Sequence, residues 1–290
     1  MVATRPNSTE LLERVCASHA GTGGERAPRT LVVCAHPDDE TIGAGARLAA
    51  LRGAVVACVT DGSPADTRDA RALGFAGRHD YLRARRRERA DALALAGVDA
   101  ARIVDLGVVD QRASLALEPL ALRVEALLER FRPEVVLTHP YEGGHPDHDA
   151  AAFAVHAAVA RLRAAGAPAP VVLEMTSYHA RGAELVTGEF LDDALLDAGA
   201  ACTVELDAAE RAMKRGMLDR YASQRRMLDR FPVRRERFRV APRYDFTRAP
   251  HAGRLWYEWF GWGGMTGERW RALAASALAR LVPAGSGAWC

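Results

Sequence analysis

Five short apolar runs, separated by helical stretches, constrain the fold of this chain more than any other feature. They are TLVVCA (30–35), AVVACVT (54–60), RIVDLG (102–107), EVVLTH (134–139) and PVVLEMTSYH (170–179). Continuous apolar runs of strand length predict strands buried on both faces, as in a parallel sheet covered by helices. Helical segments fall between them: 41–52, 81–96 ending near Gly97, 116–131 stopped by Pro133, and an Ala-rich stretch over 146–165 opened by Pro146. The predicted fold class is therefore α/β, a Rossmann-like, mostly parallel sheet with helices on both faces. A short amphipathic helix over 8–19 precedes the first strand. The stretch 61–80, rich in Gly, Asp and Arg, reads as a long loop with partial helix, and such loops after parallel strands tend to carry function. Beyond Gly182 the alternation stops. Residues 207–231 read as one long helix, Pro232 and Pro242 bracket an Arg-rich connection, and an aromatic cluster follows (Trp256, Tyr257, Trp259, Phe260, Trp262). Residues 266–281 read as a closing helix. We read 1–290 as a single domain, with its core over about 30–180 and a C-terminal helical and aromatic extension over about 181–290.

Composition removes several classes of function. A chain of 290 residues buries a full core without disulfide or metal staples. With 49% hydrophobic and 26% charged residues it is not a disordered chain. It has no apolar run of the roughly 18 residues a membrane span needs, and MVATRPNSTELLERV lacks the apolar stretch of a secretory signal. A net charge of +2 does not argue for nucleic acid, the arginines are scattered, and Lys214 is the only lysine. The five cysteines are odd in number and form no CxxC, which argues against a disulfide framework and a thiolate zinc site. Cys34 and Cys58 lie in strand runs and read as inert core residues; the expected setting is the reducing cytoplasm.

Two polar segments carry the chemistry. AHPDDE (Ala35 to Glu40) ends the first strand, where open α/β sheets bind ligands, and packs one imidazole and three carboxylates into five residues. Helix capping uses one Asp and leaves the other carboxylates and His36 unexplained. Crowded carboxylates are costly unless a cation neutralises them, and His with carboxylate is half a zinc site. HPDH (His145 to His148) follows the fourth strand and opens a helix, with Pro146 in the favoured first turn. Alone, two histidines three apart are weak evidence. At the same sheet edge as AHPDDE they complete a set of two His and one Asp that leaves a position for water.

Together, AHPDDE and HPDH about a hundred residues later resemble the LmbE/PIG-L family of zinc-dependent de-N-acetylases. The likeness covers about 30–180 and extends more loosely through YASQ (221–224). It implies a Rossmann-like fold and hydrolysis of the acetamide of an N-acetylglucosamine-type sugar or glycoconjugate. His36, Asp39 and His148 would hold zinc, with Fe2+ or Co2+ as alternatives for such a donor set. Asp38 would be the general base. His145, as a cation, would stabilise the oxyanion, with Asp147 orienting it. Arg85, of the Arg85/Glu88 pair before Gly97-Val98, would contact the substrate. By position, Asp110 is a candidate acceptor for sugar hydroxyls and His251 a candidate pocket-lining residue. Some members carry Tyr two residues before the first His of HPDH; here Gly143 stands there, and Tyr141 receives no role. His139 and His179 end strands at the same edge, and the aromatic cluster reads as core or subunit interface.

The chemistry agrees with the resemblance. An amide needs a polarised carbonyl, a water whose pKa a metal lowers towards ~7, and a proton for its leaving amine. The expected partner is a small amino-sugar substrate, with no nucleic acid and no membrane span; a homo-oligomer is compatible with the sequence. Competing readings are an amidase for a larger acyl group or a thiol-sugar conjugate, and a non-catalytic sugar- or metal-binding module. A dinucleotide-binding protein is disfavoured, because no GxGxxG follows the first strand and the AHPDDE carboxylates repel pyrophosphate.

Overall fold

A computed structural model describes residues 6–17, 27–191 and 200–281. Strands β1 (Thr30–Cys34), β2 (Val55–Pro64), β3 (Ile103–Asp110), β4 (Val135–Thr138) and β5 (Val171–Met175) form the parallel part of one seven-stranded sheet. Its order is β3-β2-β1-β4-β5, followed by two antiparallel strands, β9 (Arg235–Val240) and β8 (Ala201–Glu205). The order reverses between β1 and β4, and at such a switch point the two flanking loops open a crevice at the carboxyl ends of the strands. AHPDDE leaves β1 and HPDH follows β4, so both segments stand at this crevice.

The strands alternate between two cores. Leu31, Val33, Val55, Ala57 and Val136 face one side, under α5 (Leu117–Phe131), α6 (Pro146–Ala164) and α9 (Gly267–Leu281). Val32, Cys34, Val56, Cys58 and Leu137 face the other, under α1 (Ser8–Ala17), α2 (Asp39–Ala50), α4 (Arg78–Leu95) and α7 (Ala208–Leu218). This is the sheet with helices on both faces that the apolar runs require. In α6 the small, buried Ala150, Ala151, Ala154, Ala157 and Ala158 let the helix lie close to its neighbours.

Several boundaries differ from the sequence reading. The fifth run does not continue to His179: β5 stops at Met175, and Tyr178–Arg181 (β6) pairs with Glu184–Thr187 (β7) as a separate hairpin. This hairpin packs on Gly144, where a Cβ would lie 2.0 Å from the Tyr178 carbonyl oxygen; only glycine fits there. The stretch 61–80 is not mainly loop: β2 runs to Pro64, and a short helix, α3 (Arg68–Ala72), precedes α4. Residues 207–231 are not one helix. After α7 come a 3-10 turn (Ala222–Gln224) and a short α8 (Arg225–Leu228). The break sends Tyr221 inward to Glu40 and Thr41, while the Ser223 backbone N–H and hydroxyl donate to Glu88 at 2.9 and 2.6 Å. The Arg-rich connection is the central antiparallel strand β9. Two of its charges are paired inside the fold: Lys214 reaches Glu236 at 2.9 Å, and Arg239 reaches Glu174 at 2.7 Å.

Candidate active site

The turn after β1 is fixed from several directions. The Thr60 N–H and hydroxyl both donate to the Ala35 carbonyl, at 2.8 and 2.9 Å, and the Ala35 N–H donates to His139 Nε2 at 3.0 Å. The His36 N–H donates to Asp39 Oδ2 at 2.7 Å, which folds the turn onto the start of α2. Asp38 sits at the cap position with φ 135°, a conformation few side chains adopt and Asp and Asn tolerate best. The second segment is set by α6. His145 is its cap, with Nδ1 accepting from the Asp147 N–H at 3.1 Å, and His148 stands in the first turn.

The two segments meet. His36 Nδ1 lies 3.2 Å from Asp39 Oδ2, His148 Nε2 lies 3.3 Å from Asp39 Oδ1, and the two ring nitrogens are 3.3 Å apart. A tetrahedral zinc with bonds of ~2.0–2.1 Å spaces its N and O ligands roughly 3.3 Å apart. The donor set His36, Asp39 and His148 therefore fits a metal ion in type and in spacing. A second cluster, Cys34, Glu40 and Cys58, lies beneath it. Its sulfurs are 3.3 Å apart. Two Zn–S bonds of ~2.3 Å would hold them roughly 3.8 Å apart, so this pair fits a zinc less well.

Charge points to the same place. Burial pulls the pKa of His36 down, but Asp110, Asp147 and Asp39 around the ring overcome it and hold it well above the usual histidine range. One proton thus partly serves a cluster of carboxylates that a divalent ion would neutralise more fully. Burial pushes His148 down to about 3, leaving the neutral ring a ligand needs. For Asp39, burial is outweighed by His148 and His139, and the carboxylate stays ionised.

Around this set the remaining candidates separate. The Asp38 carboxylate accepts from Arg85 at 3.0 Å, and burial, opposed by Arg85, lifts its pKa from 3.8 to about 7. The Asp147 carboxylate accepts from the Gln111 and Ala113 N–H groups, at 2.6 and 3.0 Å, and lies 3.4 Å from His36 Nε2. It faces His36, and toward His145 the contact is the Asp147 backbone N–H, which donates to Nδ1 of that ring. His145 itself stands edge-on to His36 with ring centres 4.4 Å apart. Its Nδ1 accepts a hydrogen bond, so the proton of the neutral ring is on Nε2. Burial, with His36 and His148 beside it, holds its pKa well below the usual histidine range.

Asp110 stands with Oδ1 3.2 Å from His36 Nε2, nearer the metal set than a peripheral sugar acceptor. Arg85 does not belong to a solvated helix face: it is 2% exposed, and its guanidinium donates to the Pro37 carbonyl at 2.6 Å and to Asp38 beside the donor set. A buried carboxylate beside a metal set needs a cation, and Arg85 supplies it. Arg85→Met is expected to lower stability by about 3 kcal/mol, because Asp38 is left buried without its partner. Urea unfolding at neutral pH measures this, and a loss under about 1 kcal/mol would remove the ion pair as the reason for Arg85's burial. His251 hydrogen-bonds the Ala252 carbonyl at 2.7 Å, and among the described residues no contact joins it to the site.

Three contributors lie outside the motifs. His139 lies 3.3 Å from Asp39 Oδ2 and stacks on His148 with ring centres 4.1 Å apart. The Ser177 hydroxyl meets His148 Nδ1 at 3.4 Å and orients that ring from its far side. Trp262, from the aromatic cluster read as core or interface, has its ring 4.6 Å from that of His145. His179 is fully buried, with Nδ1 3.5 Å from Glu142, and the buried Tyr141 donates to the Arg248 carbonyl at 2.8 Å.

Residues 31–159 match the family described as PIG-L, GlcNAc-PI de-N-acetylase. A probable N-acetyl-alpha-D-glucosaminyl L-malate deacetylase 2 of Bacillus subtilis (strain 168) is 30% identical over 199 residues, 65% of this chain and 84% of that protein. A 1D-myo-inositol 2-acetamido-2-deoxy-alpha-D-glucopyranoside deacetylase of Mycobacterium sp. (strain KMS) is 36% identical over 146 residues, 43% of this chain and 47% of that protein. Among solved structures, the A40926 pseudoaglycone deacetylase superposes with a TM-score of 0.55 at 24% identity, covering 74% of this chain and 97% of that one. The N,N'-diacetylchitobiose deacetylase from Pyrococcus horikoshii gives 0.53 at 19%, covering 81% and 91%. These two share the fold. The chain belongs to the PIG-L/LmbE family of de-N-acetylases.

Proposed function

We propose that this chain is a zinc-dependent N-deacetylase that hydrolyses the acetamide of an N-acetylglucosamine-type sugar or conjugate. The observation that carries the reading is the meeting of His36, Asp39 and His148, with donor atoms 3.2–3.3 Å apart, beside the buried Asp38. The activities for which the Bacillus and Mycobacterium relatives are named support the substrate class. A metal ion held there supplies a Lewis acid for the amide carbonyl and acidifies a water.

The chain's own residues do the rest. Asp38, with a pKa raised to about 7, is matched to accept a proton near neutral pH and pass it towards the leaving amine. Arg85 holds the Asp38 carboxylate in one orientation. The Nε2–H of His145 is the donor for the developing oxyanion, a role often worth ~3–4 kcal/mol. Asp110 and Asp147 fix the ring of His36 through its second nitrogen, as carboxylate–histidine pairs do at metal sites. A cytoplasmic setting goes with this reading, since Cys34 and Cys58 are free thiols. Among the described residues no helix is long and apolar enough to cross a membrane.

The test is release of primary amine and acetate from N-acetylglucosamine, its malate and inositol conjugates, and simple glycosides. The zinc-loaded chain should turn over at least one, lose that activity to a chelator, and regain it on adding zinc. Absence of amine release across the panel by protein of full metal content would sink the proposal.

A further inference from the structure

The segment after Leu255 contains four tryptophan or phenylalanine rings within seven residues, and the metal-site chemistry uses none of them. It is pinned beside His145 from two sides. The Trp256 N–H donates to the Gly143 carbonyl at 2.9 Å, two residues before His145. The Gly263 N–H donates to Gln111 Oε1 at 3.1 Å, and the backbone of Gln111 in turn holds Asp147. Gly263, with φ 63°, lies so close to the Gln111 carbonyl that a Cβ would stand 2.7 Å from it.

Between these anchors the rings form a continuous row. Trp262 lies against His145, Phe260 stacks on Trp262 with centres 4.9 Å apart and planes 14° from parallel, and Trp256 follows at 5.3 Å. Tyr257, of the same segment, turns into the core and is 1% exposed, whereas Phe260 is 54% exposed. Isolated exposed apolar residues need no explanation, but a stacked row that begins on a residue of the active site does.

We propose that Trp262 and Phe260 form a subsite for an aromatic aglycone on the amino sugar. The inference rests on the deacetylase reading above and names its substrate class. Phe260 has no hydrogen-bonding group, and what it offers a ligand is an apolar face on which a second aromatic ring stacks. The row runs from Trp262 on His145 to the exposed Phe260, so a conjugate whose sugar sits at the metal set can lay a flat aglycone along it. Continuity with the site distinguishes this patch from exposed Leu122 on α5.

The experiment compares the methyl and phenyl glycosides of N-acetylglucosamine with zinc-loaded protein. An aromatic stack predicts a preference of about five- to ten-fold in kcat/KM for the phenyl glycoside, expressed mainly in KM. In Phe260→Ala the phenyl-to-methyl ratio should fall at least about five-fold, while Phe260→Tyr and the surface control Leu122→Ser should keep it. Equal turnover of the two glycosides, or a preference that survives Phe260→Ala, overturns the subsite. If neither glycoside is hydrolysed, the deacetylase reading is judged on the full panel above, and the subsite by tryptophan fluorescence titration with the phenyl glycoside. Weaker binding in Phe260→Ala then supports it, and unchanged binding overturns it. A dimer by light scattering that Phe260→Ala dissolves, with the ratio unchanged, assigns the row to self-association and also overturns it.

Discussion

Asp38→Asn is expected to keep the fold and the metal and to lose a factor of about 10²–10⁴ in kcat, the usual contribution of a general acid–base group. The substitution changes little besides the proton. Asn is nearly isosteric with Asp, and its side-chain oxygen still accepts from Arg85. Neighbouring Asp39 is untouched, so the donor set for the metal is intact. What is lost is an acceptor whose pKa, about 7, suits proton transfer at neutral pH. Elemental analysis and circular dichroism establish that metal and fold remain, and steady-state kinetics on the best substrate reads the effect. A variant within a few-fold of the parent would take the base role away from Asp38.

Four strands of the parallel half, β1, β2, β4 and β5, were legible because they are apolar on both faces, a pattern that burial between helix layers explains, whereas edge strand β3 is only partly buried. The antiparallel half was not. RERFRV in β9 looks like a solvated connection, and its burial depends on partners that sequence spacing cannot reveal: Lys214 and the Ala46 and Arg47 N–H groups for Glu236, and Glu174 for Arg239. The site divides in the same way. His36, Asp39 and His148 stand out because two short motifs concentrate ligand types at strand ends. His139 was marked only by its place at the end of a strand at this edge, and Ser177 and Trp262 reach the site from separate elements and carry no local signal. Arg85 lay within RARRRER, where residue type suggests only a wet helix face. Spacing held a clue there: Tyr81, Arg85, Arg89 and Ala92 are buried and share one stripe of α4, while Arg86 and Arg87 are exposed.

His148→Ala is expected to abolish activity through the metal and not through the fold. It removes one of three protein donors, and the other two, on the AHPDDE turn, are left as a two-point clamp. Losing even an outer partner of a metal ligand typically weakens binding 10- to 100-fold, so loss of a donor should exceed about 100-fold. A graded series makes the result specific. Ser177→Ala, which removes only the hydroxyl at His148 Nδ1, should fall within the 10- to 100-fold range. Asp38→Asn should bind metal as the parent does, because its carboxylate is turned to Arg85. Competition with a chromogenic chelator gives the affinities, and elemental analysis gives the content as purified. If His148→Ala retained full occupancy and the parent's resistance to chelation, the donor set would have to be redrawn around the second nitrogen of His36. Asp110, Asp147 and His145 are the groups gathered there.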